Sequence, residues 1–475
     1  MDDAVLVAFI RQRRREDSIM RTTTSPQTIP THQPMNRRQA LGRLGTLGAA
    51  AALAVAPRRA TAQAKAPVKL AFWTWENPQQ RPYIVNRINM YMQKNPHVQV
   101  DVQVFTFGDL GKKVSIGFAT GTAPDGFATG DWLMPTWLAR TLIAPQEAPL
   151  LGYPSVDAFR KDHADAFVQG SIHDGKIYGF PLWFYGFANY LNTKQYREVG
   201  LDPEKDQPQT WAQLGEVAKR LTVKQGNKFT RQGFKFAMHA AQWTMIQFNP
   251  IVVQCGGQWF DKNGKCTINN DAGLKAMTIR ASFVRQYGAE DPADTIATNP
   301  LPQMDWLKER CAIFSCHPIP PAAIKSQNPT MESEHYYKAV LMPGVSADKR
   351  YSSCYGFNLV VSARASRDKQ EALQDMYRFI LADPVDCWEA TAPFTMARKS
   401  GWTDSPKVKT FPDVQAIIAA KDTGVFLPRT PVWTELADAM HRATQKVVLN
   451  NADIKGALDE AAAEVDRATA EFKKG

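Results

Sequence analysis

Apolar and polar residues alternate strictly through "VQVDVQV", so Val98, Val100, Val102 and Val104 share one face of an extended chain. That period belongs to a half-buried strand. Upstream, "VKLAFWTW" is rich in β-branched and aromatic residues and predicts a strand over 68–75. Between the two, Ile84, Ile88, Tyr91 and Met92 recur at helical spacing from about Pro82 to Lys94. A further helical pattern over roughly Leu110 to Thr120 precedes the turn "GTAPDGF" and another strand. Strand–helix–strand–helix–strand predicts a parallel sheet with right-handed crossovers. Ligands of such sheets sit beyond the carboxyl ends of the strands. Two segments leave those ends, Trp73-Thr74-Trp75-Glu76 and Thr129-Gly130-Asp131-Trp132.

The second half is organised differently. "PQTWAQLGEVAKRLT" reads as a helix with Thr210 at its N-cap. "GLKAMTIRASFVRQYG" and "QEALQDMYRFILADP" are amphipathic helices, and two more, in "TPVWTELADAMHRATQKVVL" and "DIKGALDEAAAEVDRATAEF", close the chain. Between the halves lies "DGKIYGFPLWFYGFANYLNTKQY", which packs Phe180, Trp183, Phe184, Tyr185, Phe187 and Tyr190 into one extended segment that stops at Asn192. A buried strand and a carbohydrate-stacking hinge both fit it.

The chain has 475 residues, 44% of them hydrophobic, enough for a core in more than one lobe. Its net charge of +11 invites a nucleic-acid reading. The charge is uneven, however: residues 1–64 hold ten Arg, no Lys and four acids, and the remaining 411 residues hold 47 basic and 42 acidic groups. No basic block interleaved with aromatics occurs in those 411 residues, which argues against a nucleic-acid binder. Residues 35–64 read as an export signal: Arg37-Arg38, a mildly apolar run from Leu44 to Ala56, and Ala62-Gln63-Ala64 as a cleavage pattern. The paired arginines resemble a twin-arginine signal, and the general secretory route also fits. Met35 stands directly before the motif as an alternative start, and the mature chain is expected to begin near Lys65.

Six cysteines lack the C-x-x-C spacing of a metal site. Cys255 and Cys266 flank "GGQWFDKNGK", read as two short strands around an Asn263-Gly264 turn; a disulfide and two free thiols are both open for them. The chain contains no nucleophile elbow, zinc-protease or phosphate-loop motif, and its eight histidines are scattered. No cofactor is expected.

In order, "KLAFWTW", "NPHVQVDV", "TGTAPDG", "DGKIYGFPLW", "YLNTKQYREVGLD", "PQTWAQLGEVAKRL", "CGGQWFDKNGK" and "FNLVVSARASRDKQEALQDMYRFI" resemble the extracellular solute-binding proteins of ABC importers, in the family that includes maltose-binding protein. The resemblance covers nearly all of the chain after the signal. It implies an α/β, two-lobed periplasmic-binding-protein fold with a hinge and an interlobe ligand cleft. Lobe one would hold 65–186 with 361–405, lobe two 190–355, and the helices of 406–475 would pack mainly on lobe two. Crossings would lie at Gly186–Tyr190 and Gly356–Val360. The function implied is capture of a carbohydrate by a periplasmic, monomeric binder that is not an enzyme and delivers its load to permease subunits in the membrane. A non-sugar solute, a role in reporting to a receptor and a periplasmic carbohydrate-active enzyme, with Glu76 and Asp131 as its carboxylates, are the alternatives.

A sugar presents apolar C–H faces and a rim of hydroxyls, so its binder needs aromatic planes and polar groups together. The expected contacts are Trp75, Glu76, Asp131, Trp183 and Tyr185 from lobe one, Trp243, His317 and Tyr355 from lobe two, and Arg429 from the C-terminal segment. Asp131 also reads as a helix cap, and His317 as a structural histidine. His317-Pro318-Ile319 stands where sugar-binding relatives tend to carry a stacking Trp, so a smaller sugar, a polyol or an acidic sugar paired with His317 or Arg429 fits as well as a maltose-like one.

Overall fold

The computed structural model describes residues 66–75, 80–163, 168–295, 302–317, 319, 321–382, 395–399 and 423–474. The export signal, Glu76, Cys387, Trp388 and Trp402 lie outside them. Among the described residues no helix is long and apolar enough to cross a membrane.

Strand β1 (Val68–Trp75) pairs in parallel with β2 (Val98–Phe105) along its whole length, and with β3 (Gly126–Gly130) on its other edge. Helices α1 (Gln80–Lys94) and α2 (Phe107–Thr120) make the two crossovers, the topology that the alternating pattern predicts. Helix α3 (Met134–Ala139) follows a short 3-10 turn at Asp131–Leu133. Strand β4 (Ile143–Ala144) and the small pair β5 (Ile172–His173) and β6 (Lys176–Ile177) lead to β7 (Phe180–Gly186), which is buried at every position. The run of aromatics is therefore a strand covered on both faces.

One residue, Phe187, separates β7 from β8 (Ala188–Asn192), which belongs to a second sheet of order β12-β8-β11-β10-β9. The abrupt stop at Asn192 has a local cause: its Oδ1 accepts from Gln195 N at 3.0 Å and caps the helix that follows. The second sheet is completed by β9 (Val223–Gln225), β10 (Lys228–Lys235), β11 (Cys311–Cys316) and β12 (Tyr337–Leu341). Helix α4 (Trp211–Leu221) opens with a full capping box, Thr210 Oγ1 accepting from Gln213 N at 3.2 Å and Gln213 Oε1 accepting from Thr210 N at 3.1 Å. Helices α5 (Ala241–Gln254) and α6 (Asp271–Arg285) pack together in this half.

The chain returns through β13 (Ser352–Ser362), which pairs antiparallel with β7 and β3 in the first sheet. This corrects the expected crossing at Gly356–Val360: those residues lie inside a strand that is wholly in the first sheet, and the chain passes between Leu341 and Ser352. Tyr355, expected on the second lobe, stands opposite Tyr185 in the first. The first crossing is tied to the second, since Phe187 N donates to Ser352 Oγ and to Ser353 O, both at 3.1 Å.

Strands β14 (Thr395–Met396) and β15 (Gly424–Phe426) extend the first sheet. Helix α7 (Arg367–Ile380) covers it so closely that a Cβ on Gly126 would come within 2.2 Å of the Tyr377 hydroxyl, which donates to Val360 O at 2.8 Å. Helices α8 (Trp433–Leu449) and α9 (Ile454–Phe472) pack on α5 and α6, with Arg285 Nη2 donating to Val447 O at 2.7 Å and Asn269 Nδ2 to Asp459 Oδ1 at 2.7 Å.

Cys255 and Cys266 are free thiols. Cys255 caps the C-terminus of α5 and does not sit on a strand; only an isolated bridge between Phe260 and Cys266 remains of the expected strand pair. Asp261 Oδ1 holds the turn by accepting from Asn263 N and Lys265 N, and Gly264 takes φ +78°.

Candidate functional site

Three stretches of chain converge on a cleft of about 760 Å³. The first is the lobe-one wall, from the start of α2 and from the turn that joins β3 to α3. Thr106 Oγ1 donates to Asp109 Oδ2 at 2.6 Å and fixes that carboxylate at the helix start. Trp132 and Leu133 come next, and Trp137 is locked by its Nε1 donating to Thr129 Oγ1 at 3.0 Å. The second wall comes from the loop between β10 and α5. Glu290 Oε1 accepts from Phe236 N at 3.1 Å and Gln247 Oε1 from Ala237 N at 2.7 Å, and this pinned segment delivers His239 and Gln242 to the cleft. The third is the entry to α8, with Pro431, Trp433, Glu435 and Asp438. Thr136 Oγ1 donates to Pro431 O at 2.9 Å, joining the first wall to the third.

Behind this cleft runs a continuous line of aromatic rings. Tyr185 and Tyr355, cross-strand partners, stack at 4.9 Å with planes 18° apart. His317 meets Tyr185 edge-on at 5.4 Å, Trp243 lies 6.2 Å from His317, and Trp132 meets Tyr355 at 5.5 Å and Trp433 at 6.2 Å. Four of the expected contacts, Tyr185, Tyr355, His317 and Trp243, are thus brought together, but none of the four lines this cleft.

The others are placed elsewhere. Trp75 stacks on Phe357 at 4.1 Å, meets Trp183 edge-on at 5.6 Å and borders only a cavity of about 30 Å³ beneath Trp132. Trp75 and Trp183 line neither of the two large clefts formed by the described residues, because β1 and β7 bury both indoles under the rings of β13. Asp131 is not the side-chain cap of the helix start. It is 2% exposed and clamps β13, its Oδ1 accepting from Gly356 N at 2.9 Å while Oδ2 has no hydrogen-bond partner. Arg429 is exposed overall, yet its Nη2 and Asp131 Cβ both lie 3.3 Å from the point where a side chain on Gly170 would begin. A side chain there would be a tight fit against both residues.

The cleft carries groups of both signs: Lys112 and Arg140 face a lining that includes Asp109, Glu435 and Asp438. Burial pushes His239 down to about 4, with Lys235 and His441 adding to the effect, so it is neutral at pH 7. Burial lowers His441 as well; its Nδ1 lies 2.7 Å from Thr244 Oγ1 and its Nε2 3.0 Å from Gln445 Nε2. These walls offer hydroxyl-rim partners without a dominant charge.

Three buried groups set the pH response. Burial also drives His163 down to about 4. A histidine lowered from 6.5 contributes stability that is complete above that value and is lost as pH falls through 4, up to about 3 kcal/mol each. Asp131 is raised to about 6 by burial, against the pull of Arg429 and neighbouring backbone N–H groups. Its contribution has the opposite sign, complete below its ordinary value and lost as pH rises through 6. Urea unfolding should therefore show stability falling between pH 6.5 and 4, and Asp131→Asn should steepen the fall, because the histidine loss is then unopposed. An unchanged slope in the variant would remove this account of Asp131.

Trp132, His239, Gln242, Trp433 and Glu435 belong to the walls and were not among the expected contacts. Trp132 follows directly on Asp131 in the loop already flagged as ligand-facing, and Trp433 stands four residues after Arg429. Their signal was adjacency to the right loops.

Residues 74–299 match the sequence profile of the family described as bacterial extracellular solute-binding protein. A binding protein of Brucella abortus (strain 2308) is 22% identical over 386 residues, 81% of this chain and 89% of its own length. The lactose-binding protein of Rhizobium radiobacter is 26% identical over 47% of this chain and 50% of its own. Among solved structures, an ABC substrate-binding protein of Listeria monocytogenes in complex with cycloalternan superposes with a TM-score of 0.69 at 17% identity, covering 85% of this chain and 99% of that one.

Proposed function

Because the chain belongs to the bacterial extracellular solute-binding proteins, we propose that it captures a carbohydrate outside the cytoplasmic membrane, between its two lobes, and hands it to the membrane subunits of an ABC importer. The observation that carries this reading is the cleft itself. Trp132 and Trp433 stand with His239, Gln242 and Glu435 around about 760 Å³, aromatic planes beside hydroxyl partners. That volume lies within the range of roughly 300–1000 Å³ usual for small-molecule sites. The relatives named for lactose and found with cycloalternan support the same class of ligand.

Capture works by differential binding. The two sheets are joined at Phe187 and through 342–351, and the solute touches walls from both sides. A solute that contacts both walls only when they approach stabilises the closed form, and that difference alone drives closure. The chain acts as a monomer, exported and released after Ala64, and returns its sugar unchanged.

The test is a thermal-shift screen of residues 65–475 against neutral sugars, polyols, uronates, amino acids and polyamines. A true ligand at 100 times its dissociation constant adds about 2.7 kcal/mol to folding. Shifts with neutral sugars, and sugar recovered intact afterwards, are the expected results. Shifts with amino acids or polyamines alone would overturn the carbohydrate assignment, and conversion of the sugar would overturn the binder.

A further inference from the structure

A second cleft, of about 770 Å³, lies beyond the first, between the end of α3 and the last turns of α9. The two clefts share Arg140, Pro431 and Glu435 in their linings, so they adjoin. Either one alone fits the usual range for a small-molecule site, roughly 300–1000 Å³, and the two in line exceed it. The far cleft repeats the chemistry of the near one. Phe472 is a half-buried aromatic plane, Glu471 is an exposed carboxylate beside it, and the Arg140 guanidinium stands 5.5 Å from the Phe472 ring centre at the junction. Among the described residues the Arg140 side chain is held there by cation–π attraction alone, an interaction of about 0.5–1 kcal/mol at exposed sites, so a ligand can displace it cheaply.

We propose that this groove is a second carbohydrate-binding region, continuous with the interlobe cleft, and that the physiological solute is an oligosaccharide whose far units run past Arg140 onto Phe472. The inference rests on the carbohydrate reading of the first cleft. It departs from the smaller sugar that His317-Pro318-Ile319 leaves open: His317 meets Tyr185 edge-on at 5.4 Å and lines neither cleft.

The experiment is isothermal titration of residues 65–475 with malto-, manno- and galacto-oligosaccharides of one to six units. In the series that binds, affinity is expected to rise at least tenfold from the disaccharide to the longest member. Phe472→Ala should abolish that rise while leaving disaccharide affinity within twofold, and Glu471→Gln should reduce it. Affinity that levels off at the disaccharide, or a Phe472→Ala variant that keeps the rise or weakens all lengths equally, overturns the second region and leaves the first cleft standing. Absence of binding to every sugar in all three series overturns the second region, while the first cleft is judged by the thermal-shift screen.

Discussion

Replacing Glu290 with Gln should cost about 3–5 kcal/mol of folding stability, the range for breaking one side of a fully buried ion pair. Arg280 and Glu290 are 2% and 1% exposed at their side chains, with Nη1–Oε2 at 2.6 Å and Nη2–Oε1 at 3.0 Å. The guanidinium also lies 4.0 Å from the Phe236 ring centre. Gln keeps the shape and an acceptor but leaves the guanidinium charge in the interior without its counter-ion. The pair also serves the site: Glu290 Oε1 accepts from Phe236 N, and the loop that starts at Phe236 carries His239 into the cleft. Ligand affinity of the folded fraction should therefore fall with stability. Exchanging both partners for apolar residues, Arg280→Met with Glu290→Leu, should restore part of the stability, since a well-packed apolar pair avoids the desolvation cost while the Phe236 N–H loses its acceptor. Urea unfolding of the three proteins decides it: a single variant within 1 kcal/mol of the parent would show that the charge is solvated after all.

Neither residue drew notice in the sequence, and the reason is physical. Arg280 and Glu290 are ten residues apart, joined by a turn after α6, and nothing in a charged residue's local pattern states that it will be buried. Periodicity is a statement about neighbours along one element, so it located β1, β2, α1 and the cap at Thr210, where the cause is local. It failed where the answer depends on which strand comes to lie alongside. Tyr355 and Tyr185 face each other because β13 enters the first sheet immediately at Ser352, so that the crossing implied by the resemblance at Gly356–Val360 falls inside that strand. The same limit explains the misplaced tryptophans. Trp75 and Trp132 each end or follow a strand of the first sheet, and their sequence surroundings are equivalent. Only the packing of Phe357 over Trp75 puts one beneath the cleft and the other on its wall.

That distinction predicts the second large effect. Trp433→Leu should weaken binding of the sugar found by the thermal-shift screen at least 30-fold, the loss of about 2 kcal/mol that marks a dominant contact. Trp433, the first residue of α8, lies 6.2 Å from Trp132 and lines the near cleft while only 3% exposed. Leucine retains apolar volume but removes the flat face on which C–H groups rest. Trp75→Leu should do the reverse: it removes a stacked partner from Phe357 and an edge contact with Trp183, so it lowers stability by a few kcal/mol. Affinity of the folded protein should then stay within about threefold of the parent. Titration below each variant's unfolding transition separates the two quantities. Equal weakening by both substitutions would move the sugar's contact surface down onto Trp75 and away from the wall formed by Trp132 and Trp433.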